Sequence, residues 1–453
     1  MLTKLISRFG ADRGGNFAIM TGAAISMLAV GAGYGVNTAQ LINTQSALRN
    51  SLDAAITSTA RDLTTGVIAE EDARSSVEAF LYANGAGRFV QPDAIVLKSL
   101  VVDPVANTVE ATASVDVPLA FPLFGADPTR EVGATTAALY SDRQIEVAMM
   151  LDVTGSMAKK GKNDKIGDLK KAATNAVRTF LRNQRPGQER VRISLVPYAN
   201  SVNAGALAES SVYVERKMGD RKQAPANTAP RAVSASRHDN CATERKGDYH
   251  DSDAGPDFAM VNRDFLIRDF IKKYEGEDYA RTCPGVAVVP LTSDQKTLED
   301  AIAEFEAVGG TGGHIGVQWS WYMLSERWAS VLPVKSRPLR AGANVAKYAI
   351  LMTDGEFNLS YFDAKNVDDI YNDNGKPATR QAAVHLCRKM REQGIEIFTI
   401  GFQLTNSDAR KTMAACASPD AGTRHFFDTA TGAELDAAFQ EIASNIENLA
   451  LTR

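Results

Sequence analysis

Five oxygen-bearing side chains in three separate segments have the chemistry of a cation site. Asp152, Thr154 and Ser156 follow the apolar run "IEVAMML", Thr311 lies in the glycine-rich turn "VGGTGGHIG", and Asp354 lies in "TDGE". Mg²⁺ prefers oxygen ligands in octahedral geometry and readily retains water at some positions. The sequence therefore predicts a Mg²⁺ site, or a site for another divalent cation, made by these five residues.

Two other interpretations of the same residues are open. Thr154 and Ser156 could cap a helix by accepting hydrogen bonds from its first amides, but this leaves two nearby acids unexplained. Alternatively, Asp152 could be the nucleophile of a Mg²⁺-dependent phosphatase. Such a mechanism favours a second acid two residues later, where this chain has threonine, and no phosphate-steering lysine motif is evident. We therefore favour binding over catalysis.

The residues from 143 to 453 contain the elements that would position these side chains. Near-continuous apolar runs such as "IEVAMMLD", "VRISLVPY", "KYAILMTDGE" and "IEIFTIGFQ" alternate with helical segments. This pattern is typical of buried parallel strands in a doubly wound α/β domain. In such a domain ligands bind at the carboxyl ends of the strands, where Asp152 and Asp354 are expected.

The N-terminal part of the chain predicts a membrane anchor. Residues 17–36 are apolar, and no charged residue lies between Arg13 and Arg49. About 20 residues is the length that a helix needs to cross a bilayer. Because Lys4 and Arg8 also precede the span, residues 1–16 are expected in the cytoplasm and the bulk of the chain outside it. A cleaved signal peptide is the alternative, because small residues near the end of the span suit signal peptidase.

Residues 37–142 predict a stalk helix followed by a small α+β domain. The stretch "TAQLINTQSALRNSLDAAITSTARDL" has apolar residues at helical spacing and neither Pro nor Gly, so the membrane helix is expected to continue into it. A second helical segment, "EEDARSSVEAFLYANG", precedes three alternating segments, "AIVLKSLVV", "NTVEATASVDVPL" and "REVGATTAALY".

Charge and insertions limit the choice of partner. A net charge of −4 and a pI near 5.9 give no basic face for nucleic acid.

A polar insertion at about 203–285 exceeds what the α/β domain needs, and it is either a partner-specific loop or a tolerated surface insertion. Its stretch "DYHDSDAGPD" is interpreted as a solvated acidic loop, because it has no Glu at the spacing of a Ca²⁺ loop.

The order Asp152-x-Thr154-x-Ser156, Thr311, Asp354 resembles the metal-ion-dependent adhesion site of von Willebrand factor type A domains. That resemblance implies that one metal position stays open for an acidic side chain of a partner. Across nearly the whole chain, "DRGGNFAI", "SALRNSLDAAITSTA" and "AELDAAFQEIASNIENLALT" resemble TadG-like proteins of tight-adherence (Flp) pilus assembly. The resemblance implies a membrane-anchored, extracytoplasmic, non-enzymatic binding protein with pilus or secretion components as partners.

The four cysteines fit an exported protein, and the absence of Cys-x-x-Cys spacing disfavours a cysteine metal site. Three disulfide pairings are possible. Pairing between neighbours in the sequence, which is also what the resemblance implies, joins Cys241 to Cys283 and Cys387 to Cys416. His314, close to Thr311, is expected to be a solvated residue at a helix start, with contact to the metal site as the alternative.

Overall fold

A computed structural model describes residues 15–64, 67–84, 95–103, 106–122, 127–140, 143–182, 184, 189–217, 240–277, 281–342, 344–362, 364–371, 375–420 and 422–452. The chain divides into two compact units, Met1–Asp142 and Arg143–Arg453. We call them the first and the second unit.

The first unit contains a long helix, a short helix and a three-stranded sheet. Helix α1 (Gly15–Thr64) runs without interruption through the predicted membrane span and the predicted stalk. Helix α2 (Ala73–Asn84) follows, and the sheet is antiparallel in the order β1-β2-β3. Its strands are β1 (Ile95–Asp103), β2 (Thr108–Pro118) and β3 (Thr129–Leu139).

Apolar periodicity explains the packing of the first unit. Leu52 and Ile56 lie one helical turn apart on α1, and both are buried. Val109 and Val115 lie an even number of residues apart on β2, so they point to the same face of the sheet and are buried there. Together with Val77 of α2 they belong to one core cluster. The predicted α+β architecture is therefore present.

The second unit is built on one large sheet in the order β13-β12-β11-β4-β5-β6-β8, with β10 beside β5. The five strands from β13 to β5 are mutually parallel, whereas β6, β8 and β10 pair antiparallel. The parallel strands are β4 (Gln144–Asp152), β5 (Val191–Tyr198), β11 (Val345–Thr353), β12 (Glu396–Phe402) and β13 (Phe426–Thr429). The others are β6 (Val202–Asn203), β7 (Val212–Val214), β8 (Cys241–Ala242), β9 (Val261–Arg263) and β10 (Val289–Thr292).

Helices cover both faces of this sheet, because its central strands are apolar on both sides. Along β4, Val147, Met149 and Leu151 pack into one core cluster, and Ala148 and Met150 pack into the other. The first cluster is closed by α3 (Lys165–Leu181), α6 (Gln295–Ala303) and α10 (Gly432–Thr452). The second is closed by α7 (Gly313–Leu324), α8 (Gly375–Glu392) and α9 (Ser407–Cys416). The predicted doubly wound, mostly parallel α/β fold is therefore confirmed.

The described part of the 203–285 insertion is integrated into this core. Strands β6 and β8 extend the main sheet. Residues of helices α4 (Ala208–Ser211) and α5 (Leu266–Lys273) and of the paired strands β7 and β9 belong to a core cluster of that sheet. Val212, Val261 and Phe270 are buried. The described residues are thus more than a surface insertion, because their apolar side chains need the main core to bury them.

The acidic stretch of the insertion also differs from the sequence prediction. Asp253 was expected in a solvated loop, but it is buried. Its carboxylate accepts hydrogen bonds from Ser325 Oγ at 2.6 Å and from Gln393 Nε2 at 3.2 Å. The prediction was wrong for this residue, because charge in a sequence does not show which acids have buried donors within reach.

Both disulfides lie in the second unit. Cys241 is joined to Cys283 with Cα atoms 5.7 Å apart, and Cys387 to Cys416 with Cα atoms 5.1 Å apart. These are the pairs that the resemblance implied. The first bridge joins β8 to the segment before β10, and the second joins α8 to the end of α9.

Candidate metal site

Asp152 is the last residue of β4, and it is fully buried. Its Oδ1 accepts a hydrogen bond from the backbone N–H of Thr154 at 2.9 Å. Its Oδ2 accepts from Tyr198 Oη at 2.9 Å, from Thr353 Oγ1 at 2.8 Å and from the backbone N–H of Asp354 at 3.3 Å. The ends of β4, β5 and β11 therefore hold this carboxylate in one orientation.

Burial changes the acidity of this group. Burial first, and then the neighbouring charge of Asp354, raise the pKa of Asp152 from 3.8 to about 6, against the lowering effect of the hydrogen bonds from Thr154 and Thr353. The pKa of the Tyr198 hydroxyl is also raised well above its ordinary value, first by burial and then by Asp152. Two acids are thus held together in a place where a cation would favour their charged forms.

The two hydroxyls lie between the carboxylates. Thr154 Oγ1 is 2.8 Å from Ser156 Oγ, and the Ser156 hydroxyl donates to Asp354 Oδ1. The short 3-10 turn Gly155–Met157 receives no side-chain cap from Thr154, and α3 is capped by Asp164 instead. Capping therefore does not explain the hydroxyls. We call Asp152, Thr154, Ser156 and Asp354 the oxygen cluster.

Thr311 lies next to the oxygen cluster. Its backbone is fixed by Asn358, whose Oδ1 accepts from Thr311 N at 3.0 Å and whose N–H donates to Thr311 O at 3.1 Å. Thr311 and Ser156 line the same open pocket of about 410 Å³, with Tyr274 and Tyr371 among the other lining residues. The structure thus brings four of the five predicted residues into one hydrogen-bonded cluster and places the fifth on the adjoining wall.

A glycine turn joins the two walls. Gly155 N donates to Gly309 O at 2.9 Å, and Gly310 N donates to Asn200 Oδ1 at 2.6 Å. Gly309 has φ +66°, and a Cβ atom there would lie 2.1 Å from Asn200 Oδ1. Only glycine accommodates both the positive φ and the close approach of Asn200, which explains why glycine occupies position 309 next to the site.

Lys165, the first residue of α3, was missed by the sequence interpretation. Its Nζ lies 2.8 Å from Asp354 Oδ2, and its side chain is 15% exposed whereas that of Asp354 is fully buried. Lys165 therefore supplies a positive charge at the edge of the oxygen cluster. Its closeness to Asp354 could not be foreseen, because the two residues are 189 positions apart in the chain.

His314 was expected to be solvated, and this prediction was wrong, since its side chain is 1% exposed. Its Nε2 is 2.9 Å from Glu244 Oε1, and its Nδ1 contacts Thr379 Oγ1. Although burial acts to raise the pKa of Glu244, its contacts with His314 and with the backbone N–H of Tyr361 hold it below its ordinary value. The contact between His314 and Glu244 therefore links α7 to the 203–285 insertion.

The donor set fits a small divalent cation. Neighbouring ligands of an octahedral ion with bonds of about 2.0–2.1 Å are separated by about 2.9 Å. Thr154 Oγ1 and Ser156 Oγ are hydrogen-bonded at 2.8 Å, an ordinary O–H···O distance that is also close to this spacing. Among the described residues no group of three or more His, Cys, Asp and Glu side chains could hold a metal, so hydroxyls are an essential part of any oxygen site here.

Comparisons with known proteins place the chain only among distant structural neighbours. No family model and no curated protein matches it. The vWF domain of the type V pili tip protein Mfa5 from Porphyromonas gingivalis aligns with 16% identity and a TM-score of 0.37, over 69% of this chain and 97% of that one. The pilus adhesin SpaC from Lactobacillus rhamnosus GG aligns with 12% identity and a TM-score of 0.38, over 80% of this chain and 36% of that one. The PilB minor pilin from Streptococcus sanguinis aligns with 10% identity and a TM-score of 0.35, over 78% of each chain.

Proposed function

We propose that the protein is a membrane-anchored, extracytoplasmic binding protein that holds a protein partner through a divalent-metal-dependent adhesion site. The observation that supports this most is the oxygen cluster, in which Asp152 and Asp354 lie buried with two hydroxyls between them. The sequence resemblance to TadG-like proteins extends the proposal to Flp pilus assembly or surface attachment, with pilus or secretion components as partners and with residues 1–16 in the cytoplasm.

The roles of the residues follow from their positions. Thr154 and Ser156 would contact Mg²⁺ directly, because their hydroxyl oxygens have the spacing of adjacent ligands. Asp152 and Asp354 would neutralise its charge, directly or through water, and Thr311 would contact it from the adjoining wall of the pocket. A bound ion would supply the positive charge that attracts a carboxylate of the partner, and the pocket beside Ser156 gives that carboxylate access.

The geometry disfavours the phosphatase alternative. A nucleophilic carboxylate must reach the phosphorus atom of its substrate, but Asp152 is fully buried. Both of its oxygens already accept hydrogen bonds, from Thr154, Tyr198, Thr353 and Asp354. Asp152 is therefore placed to hold charge rather than to attack a substrate.

Calorimetric titration with Mg²⁺ tests the proposal. The wild-type protein should bind about one ion, and Asp152→Asn should give no detectable binding, because it removes a charge while keeping the shape of the side chain. Capture of partners from an extract should then require Mg²⁺ and be lost with chelator and in the variant. Equal ion binding by the two proteins would contradict the adhesion-site proposal, and metal-dependent phosphatase activity that is lost in the variant would favour the alternative.

A further inference from the structure

The first unit contains an apolar helix end with a loop fastened to it. From Gly22 to Ala32 the side chains of α1 are exposed, and in the described part of the chain α1 is the one helix long and apolar enough to cross a membrane. Gly33 is buried, and a Cβ added there would lie 3.3 Å from the Cβ of Phe121. The folded part of the unit thus begins at this level of the helix.

Two hydrogen bonds fix Phe121 to the helix. Asn37 Nδ2 donates to Phe121 O at 2.7 Å, and Phe121 N donates to Asn37 Oδ1 at 3.0 Å. One turn further along α1, Gln40 Nε2 donates to Pro118 O at 3.0 Å. These bonds use backbone atoms of Phe121 and of Pro118, the last residue of β2, so the position of Phe121 does not depend on its own side chain.

Helix length then sets the level of Phe121 relative to a bilayer. At 1.5 Å per residue, a hydrocarbon core of about 30 Å needs about 20 helical residues. If the span begins directly after Arg13, 20 residues reach Gly33, and if it begins at Phe17 they reach Val36. In both placements Gly33 and the Phe121 ring beside it lie at the boundary between lipid and water.

The side chains at this level suit that boundary. Phe121 is 53% exposed, although it is a large aromatic residue, and Tyr34 on the adjacent helix surface is 64% exposed. Tyr is enriched at membrane interfaces, where its amphipathic ring lies at the headgroup level, and Phe occurs on the apolar faces of segments that lie in the interface. An exposed Phe121 in water would leave apolar surface unburied, whereas lipid would cover it.

We propose that Phe121 is a membrane-contact residue, and that residues 119–122, directly after β2, seat the first unit on the lipid surface at the end of α1. The first unit therefore does not project on a free stalk from residue 37. This inference rests on α1 as a membrane anchor and is independent of the metal site. It also defines where the span ends, because Phe121 lies against α1 at Gly33 and is hydrogen-bonded to Asn37.

Site-directed spin labelling of the full chain in lipid nanodiscs tests the proposal. All four cysteines of the chain are paired in disulfides, so an introduced cysteine is the single site for a nitroxide. A label at Phe121→Cys should be relaxed more by oxygen, which concentrates in lipid, than by a water-soluble nickel chelate. A label at Tyr34→Cys, at the same level of α1, should give the same preference.

Leu139→Cys is the matched control. Leu139 is also apolar and is 71% exposed. It pairs with Thr108, at the opposite end of β2 from Pro118, which places it about 33 Å away along the strand. Its label should be relaxed more by the nickel chelate. A label at Phe121 that behaves like the one at Leu139 would overturn the proposal, whatever the result at Tyr34.

Discussion

Lys165 allows a quantitative test of whether its ammonium group competes with a divalent cation for the oxygen cluster. Its ammonium contacts Asp354 Oδ2 at 2.8 Å, where it supplies part of the positive charge that a divalent ion would supply. Binding of Mg²⁺ at Asp354 must therefore weaken or break this ion pair. Lys165→Met removes the charge and keeps a long apolar side chain, so we expect it to bind Mg²⁺ more tightly than the wild-type protein does.

The size of the effect follows from the exposure of the pair. Two unit charges 4 Å apart near a protein surface interact with about 4 kcal/mol, whereas fully exposed ion pairs contribute about 0.2–1 kcal/mol in measurements. Lys165 is partly exposed and can swing towards water, and Asp354 is buried. We expect a gain of about 1–2 kcal/mol, which corresponds to binding tighter by about 5- to 30-fold.

Isothermal titration calorimetry of Mg²⁺ measures this gain directly. Lys162→Met is the control, because Lys162 is an exposed lysine in the loop before α3 and its removal changes the net charge equally. Affinity that stays equal or falls in Lys165→Met would refute the competition between Lys165 and the metal. An equal gain in Lys162→Met would show that net charge, rather than the contact with Asp354, controls affinity.

Two further predictions concern the stability of the site. With chelator present, the Asp152 carboxyl keeps its proton up to about pH 6 in the folded protein, whereas in the unfolded chain it loses the proton near pH 3.8. The free energy of unfolding therefore falls as pH rises from about 4 to about 6. The loss amounts to about 3 kcal/mol at 1.36 kcal/mol per pKa unit. Calorimetric unfolding of wild type and Asp152→Asn should show curves that diverge from pH 4 to 7, and parallel curves would contradict the assigned pKa. Gly309→Ala, which combines positive φ with a clash against Asn200, should lower stability by about 1–3 kcal/mol and weaken Mg²⁺ binding. Thermal unfolding and the same titration measure both effects, and an unchanged variant would show that the turn relaxes freely.

The structure also explains why the choice of substitution matters at Asp152. Its carboxylate is the acceptor for the buried Tyr198 hydroxyl and for two backbone N–H groups. Replacement by alanine would leave these donors without a partner as well as removing the charge, and each such loss costs about 1–3 kcal/mol. Asparagine keeps one carbonyl acceptor and the volume, so it separates loss of charge from loss of packing.

Much of the fold could be predicted from the sequence, because its signals are local. The apolar run that ends at Asp152 identifies β4 as a buried strand, and helical spacing identifies α3, α8 and α10. The carboxyl ends of parallel strands meet at one sheet edge, so Asp152 and Asp354 could be assigned to one place before any coordinate was known. Short strands such as β6 and β8 were missed, since two residues carry no periodicity.

Tertiary structure alone decided which side chains surround that edge. Lys165 and Asp354 meet only after the sheet has brought distant parts of the chain together, and nothing next to either residue in the sequence indicates the other. The burial of His314 against Glu244, and of Asp253 against Ser325, likewise depends on an insertion whose polar composition suggested a surface loop. Sequence periodicity reports which face of an element is apolar. The partners of a polar side chain are set by hydrogen bonding and desolvation between segments that come together only when the core packs.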